Sequence, residues 1–158
     1  NPETAPRYHV PRGGFTATDG QEDRLKKPEL KTMDYLFRQI ALEKWARAGH
    51  GRCFTCGKVL VRDRLEVGHY KSRRHRSIRW SLDNARLQCH DCNQAQAGAH
   101  GAAKAREVEA TYRNRLVAEI GEASVAAVEE AARHPVNIDT PELVELYEKM
   151  KEQVRGIE

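Results

Sequence analysis

At 158 residues the chain is long enough for one modest domain and hardly two. Only 6% of it is aromatic, 32% is charged and the mean hydropathy is -0.77, which excludes a protein built of apolar membrane spans and describes a mostly helical chain with a small core. The net charge of +4 is mild, and where the charge lies says more than its sum.

Residues 1–28, opening NPETAPRYHVPRGGF, are rich in Pro, Gly and charge without any period. They read as a flexible arm that orders only against a partner, with no apolar secretion signal. Residues 29–158 read as a single domain, with a central unit at about 50–100 and a helical part at about 102–155. From Pro28, Leu30, Met33, Phe37, Ile40, Ala41 and Trp45 recur at three- and four-residue steps, which predicts a helix that Gly49 and Gly51 end. KVLVRDRLEVGHY (58–70) reads as two short strands around a turn near Arg62–Arg64. KSRRHRSIRWSLDN is a basic loop, with Ile78 and Trp80 as anchors to the core. NQAQA from Asn93 is a short helix that Gly98 ends, and longer helices follow over about 102–120 and 122–133. Asp139 or Thr140 caps a last helix, with Pro141 in its first turn and an apolar stripe of Leu143, Tyr147, Met150 and Val154. Intramolecular packing and a dimer seam compete for that stripe.

The four cysteines, Cys53, Cys56, Cys89 and Cys92, form two C-x-x-C pairs, CFTC and CHDC. Two plus two thiolates suit tetrahedral zinc, and without a secretion signal this spacing favours a structural metal over disulfides, hence a reducing, cytoplasmic compartment. Between the pairs, nine Lys and Arg residues face only Asp63, Glu66 and Asp83. A basic patch beside a metal site points to a polyanion such as DNA, with Lys71, Arg73, Arg74, Arg76 and Arg79 as phosphate contacts; a solvated charged loop is the plain alternative.

A zinc staple would hold the strands against the helix that follows Cys92. His69, at or just after the end of the second strand, and Asn93, at the start of that helix, could then face one cleft. Phosphodiester hydrolysis can use both: neutral imidazole is a suitable base for water, and an amide oxygen can hold Mg²⁺ or Mn²⁺, which keeps most of its waters. Asn84 could orient His69. Each has a plainer reading: Asn93 as a helix N-cap, Asn84 as half of an Asp-Asn turn, and His75 and His90 as exposed side chains rather than further ligands.

The run CFTCG…VGHY…IRWSLDN…LQCHDCNQAQAG resembles the HNH, or ββα-metal, nuclease motif in its zinc-stapled form. The resemblance implies an α+β, mostly helical fold with a zinc-stapled ββα core flanked by helices, and it carries the general base to His69, the middle asparagine to Asn84 and the metal ligand to Asn93. GHYKSR, the run from Ile78 to Gly98 and YRNRLVAEIGEASVAAVE are similar to the phage NinG (Rap) recombination endonucleases, over roughly residues 33–155. That family implies cleavage of branched DNA such as Holliday junctions and D-loops in the cytoplasm of a phage host. The products would carry 5′-phosphate and 3′-hydroxyl ends. Symmetric cutting of a four-way junction needs two active sites, which favours a homodimer.

One position departs from the pattern. Many HNH enzymes carry an acidic metal ligand just before the base, and here that residue is Gly68. Either the cation relies on Asn93 with waters and phosphate, or Glu66 or His90 assists; Glu66 shares a strand face with position 68. Two rival readings stand beside the junction nuclease: an HNH enzyme that cuts ordinary duplex, and a zinc ribbon that binds DNA without cutting it.

Overall fold

The computed structural model describes residues 26–157. The arm expected over residues 1–28 therefore lies, up to residue 25, outside the described residues. The first helix, α1 (Leu30–Trp45), turns Met33, Phe37, Ile40 and Ala41 inward, as the apolar spacing predicts, and buries Leu36 and Leu42 as well, while Leu30 and Trp45 are half-buried. It stops before either glycine. Gly51 lies instead in strand β1 (His50–Arg52), where a Cβ would meet Leu65 Cδ1 at 2.8 Å and the Trp45 carbonyl at 3.0 Å. Its role is close approach of strand to helix, not helix termination.

Strands form on both sides of Arg62–Arg64, which make one turn of 3-10 helix, but the two do not pair with each other. Strand β2 (Val59–Val61) pairs antiparallel with β1, His50 opposite Val61, and the first cysteine pair sits in the connection. Strand β3 (Leu65–His69) pairs antiparallel with β4 (Ala85–Cys89), Leu65 opposite Cys89 and His69 opposite Ala85. The expected single hairpin is thus two separate two-stranded sheets. Each strand finds its partner across a cysteine-bearing or basic connection rather than across the nearest turn. The loop joining β3 to β4 contains one short helix, α2 (Arg76–Arg79), and is anchored by Ile78 and Trp80, both buried as the sequence implied.

Helix α3 (His90–Gln96) follows β4 directly; then come α4 (Ala102–Ile120), α5 (Glu122–Arg133) and α6 (Thr140–Arg155). Asp139 caps α6 in a reciprocal box: its carboxylate accepts from Glu142 N at 3.0 Å, and Glu142 Oε2 accepts from Asp139 N at 3.2 Å. The α6 stripe is used internally. Leu143 and Met150 join Met33, Phe37, Ile40 and Trp80 in one cluster, with Tyr147 and Val154 packed against it.

The β3–β4 sheet has two differently occupied faces, as strand alternation requires. Leu65, Val67, Ala85 and Leu87 pack toward α1, and the Phe37 ring stacks 6.4 Å from His69. On the other face Glu66 meets α3, Gln88 meets Gln96, and Arg86 pairs with Glu119 of α4. Tyr112, buried among Tyr70, Ile78, Leu116, Val125 and Val128, donates to the Gly68 carbonyl at 2.8 Å. The end of β3 is therefore fixed from both sides. Among the described residues, no helix is long and apolar enough to cross a membrane.

Candidate functional site

The four cysteine Sγ atoms lie within 4.8 Å of one another, so Cys53, Cys56, Cys89 and Cys92 could hold a zinc ion. The first pair comes from the β1–β2 connection, the second from the end of β4 and the first turn of α3. Cys89 also caps α3, its Sγ accepting from Cys92 N at 3.4 Å. Burial raises the Cys89 thiol to about 12 and moves Cys92 the same way. Cys53, although burial opposes its ionisation, is drawn down to about 6 by hydrogen bonds from the Cys56 backbone and the Thr55 hydroxyl. A divalent ion bound among these four sulfurs would take the place of their protons.

Beside this cluster a cleft of about 670 Å³ runs along β3, between α3 and the basic loop. His69 and Asn93 both line it, so the two side chains that the sequence singled out share one space. His69 Nε2 lies 2.8 Å from the Arg79 carbonyl oxygen. A carbonyl can only accept, so Nε2 carries the proton and Nδ1 keeps its lone pair. Burial lowers the His69 pKa below its ordinary 6.5, and the Arg79 charge acts in the same direction. The ring is accordingly a neutral base at pH 7.

Asn84 is wholly buried, and its amide is spent on the loop rather than on the histidine. Oδ1 accepts from Lys71 N at 2.8 Å, while Nδ2 donates to the carbonyls of Lys71 at 3.0 Å and Ile78 at 3.2 Å. Asn84 thereby draws together the two ends of the segment that presents the Arg79 carbonyl to His69. Its influence on His69 runs through that carbonyl. Arg79 itself is anchored by Asp34, whose carboxylate accepts Nε at 2.9 Å, a terminal guanidinium nitrogen at 2.6 Å and the Trp80 indole N–H at 2.9 Å.

Helix α3 begins at His90, three residues before the expected start, so Asn93 lies inside it and Cys89 takes the capping role. The Asn93 side chain instead donates to Glu66 Oε2 at 2.7 Å, and His90 Nδ1 lies 2.7 Å from Glu66 Oε1. Burial acts to raise the Glu66 pKa, but the hydrogen bonds from Asn93 and His90 outweigh it and hold the carboxyl below the usual range. Gly68 is enclosed. A Cβ there would fall 1.7 Å from Gln88 Oε1 and 2.5 Å from its Cδ.

The basic residues divide into two groups. Lys71 Nζ contacts Glu109 Oε1 at 2.6 Å and sits over the Tyr70 ring, and the Arg79 guanidinium is held by Asp34. Arg73, Arg74 and Arg76 are exposed and make no ion pair among the described residues. Nothing in the local pattern marks Asp34, Gln88 or Gln96. Gln96 donates to the His69 carbonyl at 2.9 Å and accepts from Gln88 Nε2 at 3.0 Å, a chain made only by tertiary packing.

No curated protein and no solved structure matches the chain. A family model does match, that of the bacteriophage lambda NinG protein, over residues 15–158. By that match the chain belongs to the NinG family.

Proposed function

We propose that this protein is an HNH-type endonuclease that cuts branched DNA recombination intermediates, such as Holliday junctions and D-loops, with the help of a divalent cation. The observation that carries the reading is His69: Nε2 is committed to the Arg79 carbonyl, and the ring borders the cleft that also takes Asn93. The unit β3–β4–α3 serves as the ββα core, stapled by zinc on the four cysteines. Its fit to a hard cation rests on oxygen donors: Asn93 is free of capping duty and lies on the cleft wall against a carboxylate. A bound Mg²⁺ or Mn²⁺ would offset negative charge on the scissile phosphate and on the departing 3′ oxygen.

His69 Nδ1 takes a proton from water, whose oxygen bonds to phosphorus as the bond from phosphorus to the 3′ oxygen breaks. That oxygen is protonated from solvent, leaving 5′-phosphate and 3′-hydroxyl ends. Asn84 keeps the loop closed so that the Arg79 carbonyl holds the productive tautomer. Arg73, Arg74 and Arg76 contact backbone phosphates, and Lys71 joins them by exchanging Glu109 for phosphate. The choice of branched DNA rests on the family membership. Symmetric resolution takes two sites, so the acting species is a homodimer joined by a surface other than the α6 stripe.

Cleavage of a synthetic junction and a matched linear duplex, with and without Mg²⁺, by wild type and His69→Ala, tests the reading. Junction-selective, Mg²⁺-dependent cutting that disappears in the variant is expected. Equal cutting of both substrates would replace the junction enzyme with a duplex nuclease. Tight binding with no cutting under either Mg²⁺ or Mn²⁺ would leave a non-catalytic zinc ribbon.

A further inference from the structure

The residue before the proposed base cannot supply a metal ligand, because its space belongs to another side chain. Gln88 is fully buried, and besides Oε1 and Cδ its Cγ would lie 2.9 Å from a Cβ at position 68. Gln88 is itself held through Nε2 by Gln96 Oε1 at 3.0 Å and Thr55 Oγ1 at 3.4 Å. A carboxylate for the cleft must therefore come from elsewhere.

Two residues earlier on the same strand face stands Glu66. It lines the cleft with its side chain 36% exposed, and Oε2 is 2.7 Å from the Asn93 amide. Turning that amide by half a rotation about its last bond replaces Nδ2 with Oδ1. Glu66 and Asn93 then present two oxygens side by side, and adjacent ligands of an octahedral ion with bonds of about 2.1 Å stand about 3 Å apart. The other carboxylate oxygen is already fixed by His90 Nδ1 at 2.7 Å, so the carboxylate is aimed before any ion arrives. His90 does not line the cleft and acts as a positioning residue.

Charge argues the same way. Lys71 and Arg73 border the cleft, and the carboxylate of Glu109 is already paired with Lys71. An amide alone among these cations would hold a divalent ion poorly, whereas Glu66 supplies the missing negative charge. An all-oxygen pair selects Mg²⁺ or Mn²⁺ over the softer-ligand preference that sends zinc to the cysteines. We infer that Glu66, together with Asn93, binds a hard divalent cation in the cleft, with Glu66 as its carboxylate ligand in place of the residue before His69. This inference deepens the nuclease reading and rests on it for the role of the ion.

The test is a Mn²⁺ titration of the zinc-loaded full chain, followed by the electron paramagnetic resonance signal of free Mn²⁺, with junction cleavage measured alongside. Wild type is expected to bind one Mn²⁺ beyond its zinc, and Glu66→Gln to weaken that binding at least tenfold with zinc content unchanged. Glu66→Gln combined with Asn93→Asp returns one carboxylate to the same wall and should recover binding, which excludes misfolding as the cause of the loss. A Glu66→Gln protein that titrates like wild type, or a wild type that takes up no Mn²⁺, overturns the assignment. The two readings fail separately. Mn²⁺ binding that depends on Glu66, with no cleavage of any DNA, keeps the site and refutes the nuclease. Cleavage by wild type and Glu66→Gln alike, with equal Mn²⁺ affinity, does the reverse.

Discussion

Gly68→Ala adds one methyl group at a position whose backbone gives it no reason to be glycine. Gly68 is not among the residues with positive φ, so the alanine meets no backbone strain. In an ordinary strand the change would stabilise by roughly 0.4–1 kcal/mol, by reducing the freedom of the unfolded chain. Here the new Cβ would fall 1.7, 2.5 and 2.9 Å from Oε1, Cδ and Cγ of Gln88. No small adjustment of the amide end relieves three such contacts, so the whole side chain must leave its place. Its Oε1 has no partner to lose, but the Nε2 bonds to Gln96 and Thr55 go. At about 1 kcal/mol for each hydrogen bond and another 1 kcal/mol or more for overpacking, the net cost is about 2–3 kcal/mol. Urea unfolding of the zinc-loaded protein, read at constant m value, measures it. The pairing itself is checked by Gln88→Ala, which removes the obstacle. In that background Gly68→Ala should cost close to nothing, a coupling of about 2–3 kcal/mol between the two positions. Equal stability of Gly68→Ala and wild type, or strict additivity in the double variant, would refute the claim that Gln88 closes position 68.

Other outcomes can be stated from the same geometry. His69 must be neutral to accept a proton, and its pKa is held below 6.5, so the acid limb of kcat/KM for junction cleavage should lie below pH 6.5; a limb above pH 7 would contradict the buried-base assignment. The same group contributes stability that is complete above its unfolded pKa and is lost as the pH falls through 6.5 toward the folded value, because the unfolded state then binds the extra proton. Asn84→Ala removes three hydrogen bonds at a fully buried site and should cost about 3 kcal/mol, while lowering kcat and leaving Mn²⁺ binding intact. Chelation of zinc should unfold the β4–α3 corner, seen as lost helical circular dichroism, and re-addition should release protons from the cysteines; a chelated protein with unchanged melting would argue against a structural ion.

Much of this molecule is written in local pattern. The apolar steps of α1, the limits of α4 and α5 and the Asp139 cap of α6 follow from periodicity and capping, which act over a few residues. The two C-x-x-C pairs announced a four-cysteine cluster because their ligand spacing is itself short-range. The pairing of strands was less legible. β4 is buried along its whole length and has no alternation to mark it, and its partner β3 lies across a long basic loop. A nearby turn at Arg62–Arg64 was the more visible, and the wrong, hairpin signal.

The candidate site divides along the same line. Residue type and position alone marked His69, Asn84 and Asn93, and the cleft does bring His69 and Asn93 together. Which nitrogen of His69 bears the proton, however, depends on a carbonyl ten residues away. That Asn84 spends its amide on loop backbone, that Arg79 answers to Asp34, and that Gln88 fills the space of residue 68 are likewise products of packing between distant segments. The sequence by itself determined the longer helices and the cysteine pairs that could hold a metal, because each depends on neighbours within a turn or two, and it supplied the polar residues. Only the tertiary structure decided which of those polar groups remain free for chemistry, because a donor or acceptor is free only once every segment packed around it has taken its share.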